Sequence, residues 1–179
     1  MTSTEPPSAY HPVSKLFHWL IVVMLAIEFI VGLLLHDMRR SITPATLMSF
    51  HMSFGMLILA VMALRLLWRF VYPAPSHEPG MTRWQELASS WTHYLLYLSV
   101  ILLPLTGWLL ASAFGWSVTI FSLFTLPSII APHIVTQRLA LYAHVLTAAG
   151  VLALIGLHML AVLYHHFIRK DKVLHRMLP

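Results

Sequence analysis

One apolar stretch, 138–168, carries two histidines fourteen residues apart, His144 and His158, and no acidic residue. A stretch of that length crosses a hydrocarbon layer of about 30 Å. In lipid it must be a helix, because a lone strand cannot pair its backbone there. On a helix with 3.6 residues per turn, a fourteen-residue step returns both imidazoles to nearly the same face, ~21 Å apart. Ionisable groups at membrane depth are costly and by default functional. Two imidazoles on one stripe, one near each surface, suit the holding of two haems.

The rest of the chain agrees with a membrane setting. Of its 179 residues, 59% are hydrophobic and 9% charged, where a soluble domain carries about 25% charged residues. The expected class is an all-α membrane protein, a four-helix transmembrane bundle forming one domain over 1–179. The spans fall at about 16–35, 47–70, 91–113 and 138–168. The chain has no cysteine, which removes disulfides, thiolate zinc sites, iron–sulfur clusters and covalent CxxCH haem attachment. The net charge of +5 suits nucleic acid in principle, but the basic residues flank apolar spans, as in membrane orientation. No nucleic-acid partner is expected. The first span is long enough to cross and no small-residue cleavage site follows it, so no removable signal is read.

Tyr72-Pro73-Ala74-Pro75 should close the second span, and Pro104 should kink the third. An even number of spans puts both termini on one side. Lys15, Arg65, Arg69, Arg83, Arg169, Lys170, Lys172 and Arg176 fall on that side; Arg39, Arg40 and Arg138 fall on the other. This bias predicts cytoplasmic termini. Trp19, Trp68, Trp84 and Trp91 fit an inner aromatic belt. The apolar loop 114–137 should either cap the outer end or lie in the interface.

Depth then pairs the histidines. His18 opens span one on the inner side, and His51 opens span two on the outer side. Span four runs inward, with His144 outer and His158 inner. The expected pairs are His51 with His144 and His18 with His158, each clamping one haem iron from both sides. The same step recurs from His18 to Gly32, from His51 to Arg65 and from His93 to Gly107. Gly32, Gly107 and Gly55 would give clearance at the outer level. Arg65 and His93 would lie near haem propionates at the inner level. Two imidazoles close the iron to further ligands, so such a site carries electrons.

Blander readings stand beside this one. A lone membrane histidine is often an interhelical hydrogen-bonder, and histidine also serves zinc or copper. The near-absence of acidic and thiolate partners in the spans fits those ions less well than haem. His165, with Ser14, is a candidate inner quinone site, because a quinone takes protons with its electrons and histidine titrates in the right range. Two interfacial histidines among headgroups is the plain alternative. His11, His36, His77, His133 and His175 read as solvated loop residues. Arg39, Arg40 and Arg138 either contact headgroups or draw a small anion to the outer face. Glu28, an acid inside a span, has no firm role.

Several motifs, taken in order, are specific. His18-Trp19 opens span one, and His51 opens span two. Arg65 to Arg69 with Tyr72-Pro73 closes span two, and Phe121-Ser122-Leu123-Phe124-Thr125-Leu126-Pro127 follows. Then come His144, His158, His165-His166, Lys170-Asp171 and Leu174-His175-Arg176-Met177-Leu178. Over nearly its whole length the chain resembles the bacterial cytochrome b561 family. The resemblance implies a dihaem b-type cytochrome of the bacterial cytoplasmic membrane, with two haem b groups on His18, His51, His144 and His158. It also implies electron exchange with ubiquinone near the inner haem. One activity it implies is superoxide oxidation at the outer face, making the chain a superoxide:ubiquinone oxidoreductase. The alternative is an electron-transfer subunit docked to a hydrogenase- or formate dehydrogenase-like partner.

Overall fold

Pro12 opens the first helix, where its missing N–H loses no bond. The computed structural model describes residues 9–37 and 45–178. Helix α1 is Pro12–Asp37, α2 is Ala45–Val71, α3 is Arg83–Phe114 and α4 is Ile134–Leu163. A single π-helical turn, Tyr164–Arg169, continues α4. Each of the four is long and apolar enough to cross a membrane. Their outward faces carry apolar side chains, such as Leu33, Leu64, Leu98 and Leu160, all more than half exposed. Lipid, which is itself apolar, is the solvent for that surface.

The expected spans are recovered, with one informative shift. Helix α3 starts at Arg83, eight residues before the apolar run. Its polar first turns are stabilised at the end, where the Thr82 N–H donates to Gln85 Oε1 at 2.9 Å. Hydropathy marks the part in hydrocarbon, not the end of the hydrogen-bonded helix. Helix α3 continues through Pro104 and stops at Gly115. There the left-handed backbone, φ 74°, lets Gly115 N–H reach Ser112 O and Trp116 N–H reach Ala111 O.

The helices pack in an open arc. α1 lies against α2, α2 against α3, and α3 against α4. No Cα of α4 comes within 8 Å of α1 or α2 among the described residues. Helices in direct ridge–groove contact run about 8–10 Å apart axis to axis, so α4 stands off its two nominal neighbours. At mid-depth an apolar layer forms from Ile21, Met24, Leu25, Ile58, Met62, Val100 and Val151. Leu25, Ile58 and Val151 each follow a histidine, His18, His51 and His144, by seven residues. The layer therefore separates the two histidine levels.

Both ends are closed by chain segments. At the end away from the described termini, the one expected to be outer, a two-stranded hairpin, β1 (Thr119–Ile120) and β2 (Phe124–Thr125), pairs antiparallel and sits on α2. Buried Ser53 fastens it, donating to Thr119 O at 2.9 Å and accepting from Phe121 N–H at 3.1 Å. Phe121 and Ser122 both have positive φ, 44° and 63°, so the turn needs that anchor. At the inner end the C-terminal segment folds back onto α1. Lys15 Nζ donates to Leu178 O at 2.6 Å and Trp19 Nε1 to Met177 O at 3.0 Å. Tyr10 N–H meets Arg176 O, so both ends of the described chain lie together.

Replacing Ser53 by alanine should leave the Phe121 N–H and Thr119 carbonyl without their partner, a loss of about 1–3 kcal/mol. Hydrogen exchange should then rise in 117–126 while α1 stays protected. Unchanged exchange in the hairpin would contradict its anchoring role.

Candidate functional site

The two histidine pairs bridge the opening beside α4. At the outer level the His51 and His144 ring centroids are 6.1 Å apart, with planes at 88°. At the inner level His18 and His158 are 6.3 Å apart, at 68°. A metal–nitrogen bond to histidine is about 2 Å. The centre of a five-membered ring lies roughly 1.1 Å from each nitrogen, given bonds of about 1.35 Å. Two imidazoles on opposite sides of one metal ion therefore stand about 6.2 Å apart. Both pairs match that spacing. Among the described residues no cluster of three or more His, Cys, Asp or Glu is placed to hold an ion unaided. A porphyrin brings four ring nitrogens of its own and needs two axial donors. The donor set thus fits haem, and the standing-off of α4 fits a flat macrocycle.

At the outer level, His144 Nδ1 lies 3.1 Å from Leu103 O and 3.2 Å from Thr106 Oγ1. The Thr106 hydroxyl already donates to Leu103 O at 2.8 Å, so the imidazole N–H is the donor here. That leaves Nε2 for a metal, the usual carbonyl-backed arrangement of a ligating histidine. His51 Nδ1 lies 2.8 Å from Glu28 Oε1. The approach is close but not well directed: His51 Nδ1 and Glu28 Oε2 are both buried without a formed hydrogen bond. The glycines adjoin these groups rather than bare space. A methyl group on Gly107 would lie 3.1 Å from His144 Cε1, and one on Gly32 3.9 Å from His51 Cε1. At Gly55 the neighbour would be Glu28 Oε1, at 3.4 Å.

At the inner level, Arg65 Nη1 approaches His18 Nδ1 at 3.4 Å, and Arg65 Nε donates to Tyr97 Oη at 3.1 Å. Arg69 also lies over the Tyr97 ring. A guanidinium has no acceptor, so beside an imidazole protonated at Nδ1 this contact is a nearby charge. Tyr10, Ser14, Arg65, Trp68, Arg69 and Tyr97 line a narrow cleft of about 10 Å³, room for one water-sized group. The Trp68 indole N–H is buried there without a partner. A carboxylate oxygen suits these donors, as a haem propionate would supply. His93 stands beside His158, ring centroids 5.3 Å apart, with Nδ1 on Ser89 O at 2.7 Å.

Other expected site residues are placed differently from one another. His165 is buried, its Nδ1 2.6 Å from Asp171 Oδ2. Arg169 Nε also reaches that oxygen, at 3.3 Å. Ser14 lines the Arg65 cleft, and His165 is not among the walls of that cleft. The π turn begins at Tyr164, so His165 departs from the regular face it would share with His158. Arg138 is exposed on a groove with Ile134, Val135, Leu139 and Tyr142. Six residues before His144, it stands roughly 120° around the helix from it. Arg39 and Arg40 lie outside the described residues. His11 is exposed ahead of α1, as expected, with its ring tilted against Tyr72 and Trp68 at centroid distances of 4.6 and 5.3 Å.

Glu28 and Trp68 are the groups that sequence reasoning passed over. For Glu28 a signal existed: it is four residues before Gly32, one turn away on the same helix face. That arithmetic puts it at the outer level.

Comparison with known proteins shows the family of the chain. The sequence profile of prokaryotic cytochrome b561 matches residues 9–179. Cytochrome b561 homolog 2 of Escherichia coli K12 is 31% identical, covering 99% of this chain and 95% of the relative. Cytochrome b561 homolog 1 of the same organism is also 31% identical, covering 90% and 92%. A Yersinia pestis protein named probable superoxide oxidase CybB is 33% identical, covering 90% and 91%. The chain belongs to the prokaryotic cytochrome b561 family, and so is a multi-pass, haem b-binding electron-transfer protein of the bacterial inner membrane.

Proposed function

We propose that the chain is a superoxide:ubiquinone oxidoreductase with two haem b groups, one on His51 and His144, the other on His18 and His158. The observation that carries the two-haem reading is the spacing of both imidazole pairs, 6.1 and 6.3 Å. The superoxide reading is supported by similarity to the relative named as a probable superoxide oxidase. The basic-residue bias supports cytoplasmic termini, which puts His51 and His144 on the outer side.

Haem supplies reversible one-electron chemistry at iron. Each pair of histidines would hold one haem and leave no vacant site on it for oxygen, so the site would pass electrons without activating oxygen. Leu103 and Thr106 hold the His144 ring in the tautomer that frees Nε2. Arg65, Arg69 and Trp68 offer donors to propionate oxygens at the inner level. Arg39, Arg40 and Arg138 make the outer surface attractive to an anion such as superoxide. Near the inner surface His165, its Nδ1 engaged by Asp171, keeps Nε2 available to move a proton, and Ser14 adds a hydroxyl. Overall, two superoxide ions give up two electrons and leave as two oxygen molecules. Ubiquinone takes those electrons and two protons to become the quinol.

The purified chain should carry two haems by pyridine haemochrome assay. His144→Ala should carry one, with the inner spectrum preserved; equal loss of both in a folded bundle would contradict the pairing. Stopped-flow mixing with superoxide should reduce the haem in the isolated protein, and added ubiquinone should reoxidise it. Reduction that requires a co-purifying dehydrogenase would instead make the chain that enzyme's membrane subunit. Gly107→Val should push the His144 ring and lower outer-haem occupancy. Gly150→Val, where no side chain lies within 4 Å, should leave occupancy unchanged.

A further inference from the structure

The two levels are chemically unlike. A histidine that gives Nε2 to a metal carries its proton on Nδ1, and what accepts that proton tunes the ligand. His144 faces a neutral carbonyl, Leu103 O. His51 faces a carboxylate: Glu28 Oε1 is 2.8 Å from Nδ1, and Glu28 is only 9% exposed. Among the described residues His51 Nδ1 and Glu28 Oε2 form no hydrogen bond, so the 2.8 Å approach of Oε1 is the polar contact His51 Nδ1 has. The absent side chain at Gly55 leaves the carboxylate its place, since a methyl there would touch Oε1 at 3.4 Å. At the inner level the neighbour of His18 Nδ1 is a cation, Arg65, at 3.4 Å. Arg69 shares the same Tyr97 ring.

A carboxylate close beside a ligand's N–H edge polarises the imidazole and favours the oxidised metal. A guanidinium beside the other ligand favours the reduced metal. A buried acid in a membrane span is expensive, and among the described residues no other polar group is paired with Glu28. We propose that Glu28 is a positioning residue for His51, and that with Arg65 it sets the outer haem's reduction potential below the inner one. Electrons arriving at the outer side then run downhill toward the inner side. The low dielectric at mid-membrane magnifies these charge differences. This inference rests on the two-haem reading.

The test is a spectroelectrochemical titration of the haem-loaded protein, with His144→Ala identifying the inner signal. The outer haem should be reduced last in the unmodified protein. Glu28→Gln should shift the electron distribution toward the outer haem at least tenfold, about 59 mV for one electron. The inner potential should stay in place, and Glu28→Asp should move the outer one less. An outer potential above the inner in the unmodified protein overturns the proposal. So does an outer potential unmoved in Glu28→Gln with both haems bound. If that variant loses its outer haem, the order in the unmodified protein decides. One haem per chain would remove the two-haem reading itself, whereas two haems in the opposite order would remove only this proposal.

Discussion

Everything in this fold answers to the distance between opposing imidazoles. In lipid there is little hydrophobic force drawing helices together, so contact must come from packing, polar links or a shared ligand. Helix α4 approaches α3 and stays away from α1 and α2. Four histidines from α1, α2 and α4 reach into the resulting opening at two depths. A fully packed four-helix bundle would forfeit both sites. The arc is instead fixed by the mid-depth layer and by the closures at its two ends.

Those closures differ in kind, and the difference follows from what each end must do. The outer hairpin hangs on one buried hydroxyl, Ser53, two residues beyond His51. The inner end is tied by ion pairs and charged donors: Arg176 to Glu78, Arg169 to Asp171, and Lys15 to a backbone carbonyl. It leaves Arg65, Arg69 and Trp68 around a donor-rich cleft. An end built from charge suits exchange with polar groups and protons.

The sequence made the histidine pairs legible because their signal is pure helix geometry. A fourteen-residue step survives any uncertainty about span limits, and depth follows from the order of the spans. The α3 start at Arg83 was hidden because polar turns beyond the hydrocarbon carry no hydropathy signal. The contact of Glu28 with His51 was hidden for another reason: it links α1 to α2, and residue spacing along one helix says nothing about the rotation of its neighbour. The π turn at Tyr164 likewise has no periodic signature, so the direction of His165 was not legible from its spacing along the chain. Arg138 is the converse case. Its sign and depth suited the outer face, while its angle around α4 carries it away from His144.

The mid-depth layer of Ile21, Met24, Leu25, Ile58, Met62, Val100 and Val151 is wholly aliphatic save for two thioethers. With no hydroxyl or carboxylate in it, it offers no wire for protons, though electrons tunnel through such matter readily. On the two-haem, outside-to-inside reading proposed above, charge would cross uncompensated over ~21 Å, about two thirds of the insulating thickness. A cell interior held negative would resist that inward current, by roughly 2.3 kcal/mol per charge for each 100 mV across the whole barrier. On that reading a high membrane voltage would act as a brake on electron flow, and depolarisation would release it.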